Sequence, residues 1–132
     1  GVSKDMTLIV YSRKTNEAEK RLIRVIELLL PEKKVEFYQL IDDLSTRLRQ
    51  PVVTPRIAIL LASSPEELEN IISIRELLEN IKIILIVPDI NPATLARGHT
   101  LRPRFLSSCD SDFVDVAAVL GRMIRKIDWN EC

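Results

Sequence analysis

Two uninterrupted apolar runs, residues 56–62 (RIAILLA) and 82–87 (KIILIV), are short enough to be strands, and the helical pattern of residues 65–80 joins them. Apolar side chains at consecutive positions leave a strand no polar face. Such strands belong to the middle of a parallel sheet covered by helices on both sides. With 132 residues the chain has the length of one domain, which buries roughly two thirds of its unfolded surface.

The rest of the chain alternates strand and helix signals around these runs. Residues 6–11 (MTLIVY) read as the first strand. Asn16 then caps a helix with Glu19 three residues on, and Ala18, Leu22, Val25, Ile26 and Leu29 keep helical spacing until Pro31. Residues 35–40 (VEFYQL) alternate more than the central runs and fit an edge strand. Asp42 opens a short helix carrying Leu44 and Leu48, closed by Pro51 and Pro55.

Ser64, Pro65 and Glu67 form a strong helix start, with a capping serine, proline in the first turn and a glutamate three residues after the serine. Asn91-Pro92 opens a weaker helix that Gly98 is expected to break, and residues 104–107 (RFLS) are the fifth strand. A last helix begins near Asp112 with Phe113, Val116, Ala117, Leu120, Met123, Ile124 and Ile127 on one face, widened by Val114, Ala118 and Val119. Phe37, Phe105 and Phe113 read as core. These βα pairs predict a flavodoxin-like three-layer α/β/α sandwich whose five-stranded parallel sheet runs in the order 2-1-3-4-5. Residues 1–5 are expected to be a disordered terminus or a cloning remnant ahead of a single domain.

Basic and acidic residues balance at 19 each, so no global field draws the chain to nucleic acid or a membrane, and partners must be sought in local patches. No apolar run approaches the ~20 residues of a membrane span. The two cysteines, Cys109 and Cys132, show no metal-site spacing, and reduced thiols in the cytoplasm are the plain expectation.

The order of elements, the length and the hydrophobic pattern of the whole chain resemble the receiver domains of bacterial two-component response regulators. That resemblance implies an acidic pair after the first strand and an aspartate ending the third, which together bind magnesium and accept a phosphoryl group. It also implies a threonine or serine ending the fourth strand and a lysine ending the fifth. Here the first strand leads into Tyr11-Ser12-Arg13-Lys14, the third ends at Ala62, the fourth at Val87-Pro88, and Ser108 falls where the lysine belongs. Arg13, Lys14 and Ala62 supply none of the hard oxygen ligands that magnesium needs. The expectation is a degenerate pseudo-receiver with no metal and no cofactor.

Four residues, Ser12, Arg13, Ser63 and Asp89, gather at the C-terminal edge of the predicted sheet, where open α/β sheets hold ligands. They define the alternative reading, a small-ligand, nucleotide or anion site, with Lys14 in support. Flavin binding is disfavoured. The loop after the first strand has no glycine to wrap a phosphate, and aromatics are only 5% of the chain. His99 has no recognisable catalytic partners and reads as a surface residue. Cys109, ahead of the last helix, reads as an ordinary small residue beside the lesser possibility of an activated thiolate. Ser63, Ser64, Ser107, Ser108 and Ser111 lack a base and read as capping residues.

The local excess of charge lies in Arg97, His99, Arg102 and Arg104, extended by Arg122, Arg125 and Lys126 on the last helix. With Val114, Ala118 and Val119 these mark the side formed by the fourth helix, fifth strand and last helix. Receivers as a family dimerise or dock effectors there. The sequence therefore predicts a non-enzymatic interaction domain in signalling, with a protein partner or a second copy bound through that side and nucleic acid disfavoured.

Overall fold

The computed structural model describes residues 7–30, 34–50 and 57–130, apart from the side chains of residues 34 and 127–130. Strand β1 (Thr7–Ser12) leads to helix α1 (Glu17–Leu29), β2 (Lys34–Tyr38), α2 (Ile41–Arg49) and β3 (Ile57–Leu61). Helix α3 (Pro65–Ile72), a 3-10 turn (Arg75–Leu78), β4 (Lys82–Val87), α4 (Pro92–His99), β5 (Phe105–Ser108) and α5 (Val114–Asn130) complete the order. The strands form one parallel sheet in the order β2-β1-β3-β4-β5, as the two apolar runs predict for strands at its centre.

Strand parity divides the core between the two faces. Leu8, Val10, Ile57, Ile59, Leu61, Ile84 and Ile86 pack with Ala18, Leu22 and Ile26 of α1 and with Val116, Leu120 and Ile124 of α5. Ile9, Tyr11, Ala58, Leu60, Ile83, Leu85 and Val87 pack with Leu44 of α2 and with Leu68, Ile71 and Ile72 of α3. Because every residue of β3 is buried, the run could not have served a sheet with one wet face.

Several expectations shift in register or role. The pattern of residues 65–80 is not one helix: α3 stops at Ile72, and the Ser73 hydroxyl donates to the Asn70 carbonyl before the chain tightens into the 3-10 turn. A serine bonding its own helix offers the backbone an alternative to continued α-structure. Strand β2 ends at Tyr38, not Leu40, and β5 lies one residue later than expected.

Gly98 does not break its helix but sits buried within α4. A Cβ there would lie 3.1 Å from Leu85 Cδ2, 3.2 Å from Val87 Cγ1 and 3.3 Å from Leu106 Cδ1, so its missing side chain lets the helix seat on the sheet. Phe113 and Phe105 pack into the core, whereas Phe37 is 53% exposed. Its position on the edge strand leaves it beyond full cover by α1. Residues 1–5, Met6, Pro31, Pro51, Pro55 and Cys132, and the side chain of Ile127, lie outside what is described.

Candidate functional site

The β3–α3 junction brings a carboxylate to the C-terminal edge of the sheet. Ser64 caps α3 by accepting from the Glu67 amide at 3.2 Å, and the Glu67 side chain reaches back to accept from the Ser63 amide at 3.1 Å. This is a capping box displaced by one residue. Its consequence is that Glu67 is only 4% exposed and lies just past the central strands. Lys14, from the loop after β1, places its ammonium 3.4 Å from Glu67 Oε2. The Ser64 hydroxyl is 3.4 Å from the same oxygen.

Asn16 ties the two loops together. Its Oδ1 caps α1 by accepting from the Glu19 amide, while its Nδ2 donates to Ser63 Oγ at 3.0 Å. Ser12 closes the first loop by donating to the Lys14 carbonyl at 3.1 Å. Arg21 reaches from α1 to the opposite loop, donating to the Cys109 carbonyl and lying over the Phe113 ring at 5.2 Å from its centroid. Phe113 turns through a positive φ of 66°, which this packing and its buried ring hold in place.

Two groups at this edge have perturbed proton affinities. Burial, then the Glu67 carboxylate, pushes the Tyr11 phenol up, and Arg13 pulls it partly back. Its hydroxyl is buried and makes no hydrogen bond among the described residues. Burial, reinforced by Asp110, also pushes the Cys109 thiol up, and its sulfur stands 3.5 Å from the Ala62 carbonyl. That favours the thiol over the thiolate.

Of the predicted ligand residues, Ser12 and Ser63 both lie at the sheet edge but hold the loops, Ser12 through the Lys14 carbonyl and Ser63 through Asn16, while Arg13 is exposed. Asp89 accepts from the Asn91 amide at 3.0 Å in a local turn before α4. Among the described residues no three acidic, histidine or cysteine side chains are placed to hold a metal ion. Sequence reasoning saw Glu67 only as a helix-start signal and did not foresee that it is the buried acid of the edge. It missed Arg21 entirely, because an arginine on a helix carries no local mark of a distant carbonyl.

The predicted interface residues are dispersed unevenly. Arg104, Val114, Ala118 and Arg122 are exposed along β5 and α5, with Val114 69% exposed. His99, Arg125 and Lys126 are exposed too. Arg97 is held by Glu69 of α3 through bonds of 2.8 and 2.6 Å, which keep the Glu69 carboxyl below the usual range. Arg102 is exposed just ahead of β5, two residues before Arg104, with φ 53°. Val119 packs partly against the core.

The fold is of the kind found in response-regulator receivers. The phosphorylated cyanobacterial phytochrome response regulator RcpA is similar at a TM-score of 0.62 and 16% identity, over 89% of this chain and 90% of its own. A pilus assembly-related protein from Burkholderia pseudomallei K96243 is similar at 0.61 and 16%, over 93% and 92%. A yeast Spc42 trimeric coiled-coil fusion matches at 0.69 and 9%, over 96% of this chain and 83% of that one. At these identities the likeness is one of fold. No protein-family model matches the chain, and no curated protein matches it in sequence. Among the described residues no helix is long and apolar enough to cross a membrane.

Proposed function

We propose that the chain is a receiver-like interaction domain in signalling or regulation that takes up no phosphoryl group and works by contact. The observation that carries this reading is the internal commitment of Glu67. Its carboxylate is held by the Ser63 amide and the Lys14 ammonium, and the strand ends around it carry Ser12, Ala62, Pro88 and Ser108 in place of acid, acid, hydroxyl and lysine. A carboxylate that is nearly buried and bonded to an amide of its own chain is a poorly placed phosphoryl acceptor, and serines without a base are poor nucleophiles.

Without a chemical step, the domain signals by occupancy of a surface. The side formed by α4, β5 and α5 suits this role, since it carries exposed Arg104 and Arg122 together with the exposed apolar Val114 and Ala118. An acidic partner or a second copy complements it, in a reduced, cytoplasmic setting. Arg97 contributes less than its charge suggests because Glu69 engages it. The alternative, an anion or nucleotide bound by Ser12, Arg13, Ser63 and Asp89, has weaker support, since Ser12 and Asp89 bond within their own loops and the Ser63 hydroxyl is engaged by Asn16 of the neighbouring loop.

Sedimentation of the wild-type chain against the Arg104→Glu/Arg122→Glu variant tests the surface. Concentration-dependent association that the variant loses supports it. Association unchanged by the two reversals removes this side from the account.

A further inference from the structure

Between α1 and the end of β2 lies an open groove of about 580 Å³ whose lining includes Val10, Ile23, Phe37 and Leu40, with Glu19 and Asp43 at its polar positions. Phe37 is 53% exposed and Leu40 is 50% exposed. Strand β2 is the edge of the described sheet, so among the described residues the main-chain groups on its outer side have no strand neighbour.

Phe37 and Leu40 each leave about half of their surface in water, and two large apolar groups lining one groove are the kind of surface that a partner covers. The charges add direction. Among the described residues Glu19 and Asp43 form no ion pair, and no basic side chain lines the groove.

We propose that this groove docks a segment of a partner protein in which lysine or arginine flanks an apolar anchor. The anchor lies between Phe37 and Leu40, and the cations face Glu19 and Asp43. Such an arrangement places the apolar contact at the centre and the complementary charge at the rim. A second copy of the chain meets the charge condition less well. Its basic segment lies beside β5, at the other edge and on the α4 side, so the contact is head-to-tail and does not close into a dimer. The groove is distinct from the α4, β5 and α5 side, and its test alters none of that side's residues.

A phage-displayed library of random linear peptides, selected on the full chain, supplies the probe. Enriched peptides made synthetically and fluorescein-labelled are then titrated against wild type and the Phe37→Asp, Leu40→Asp and Asp43→Lys variants, each checked for native circular dichroism. The expected result is enrichment of lysine or arginine around an aromatic or aliphatic residue, with affinity reduced roughly tenfold or more by each substitution. Using three exposed positions keeps the test open if one variant misfolds. Enrichment of acidic peptides, no enrichment, or binding indifferent to all three changes overturns the proposal. Self-association of the wild-type chain that Phe37→Asp abolishes overturns it as well, by assigning the groove to a second copy.

Discussion

Lys14 Nζ stands 3.4 Å from Glu67 Oε2, an ammonium 59% exposed against a carboxylate 5% exposed. The asymmetry decides which partner matters. Lys14 remains in water and gives up little, so the pair itself contributes about 0–1 kcal/mol. Glu67 has the larger role because it satisfies the partly buried Ser63 amide.

Truncation separates the two roles. Glu67→Ala leaves the Ser63 amide unpaired and is expected to cost about 1–3 kcal/mol in urea unfolding, while Lys14→Ala costs under about 1 kcal/mol. Equal losses would mean that the ion pair, and not the amide contact, holds the junction.

The chain contains two tyrosines, and both resist ionisation in the folded state. Burial raises Tyr11, and burial together with the 2.7 Å bond to Glu36 pushes Tyr38 up to about 12. Since the unfolded chain ionises first, stability contributed by the neutral phenols is complete below about pH 10. It falls as pH rises from there toward about 12. Phenolate absorbance of the native chain should therefore show no step near pH 10. A step at the ordinary value would contradict the placement of both rings.

Gly98→Ala pits two effects against each other. Alanine improves intrinsic helix stability by about 1 kcal/mol. Its methyl would lie 3.1 Å from Leu85 Cδ2 and 3.2 Å from Val87 Cγ1, both on fully buried side chains, and overpacking costs about 1–3 kcal/mol. Net destabilisation is expected, read as a lowered thermal midpoint. A raised midpoint would show that α4 lifts from the sheet without penalty.

Cys109 should alkylate slowly. In a Cys132→Ser background, which leaves one thiol, iodoacetamide is expected to react more slowly than with a free model thiol at neutral pH, because burial favours the protonated form. Faster reaction would restore an activated cysteine at the sheet edge.

What the sequence disclosed follows from period and punctuation. The runs at β3 and β4 allowed only buried parallel strands, and Asn16 and Ser64 marked two helix starts that the structure keeps. Gly98 was misread because a glycine in a helix looks the same whether it ends the helix or seats it against a sheet. Only the neighbouring strand decides. Phe37 was misread for a related reason: an aromatic in an alternating strand signals the core, but the edge of a sheet is fixed by pairing distant in sequence. The roles of Glu67 and Arg21 were equally hidden. Each depends on a loop brought near by topology, Ser63 with Lys14 in one case and Cys109 in the other.

The edge of this receiver-like sheet is expected to take up no phosphoryl group. Incubation of the chain with acetyl phosphate and magnesium, followed by intact-mass measurement, is the direct test. The expected result is an unchanged mass. A gain of one phosphoryl group that hydroxylamine removes, and that Glu67→Gln or Asp89→Asn prevents, would contradict it.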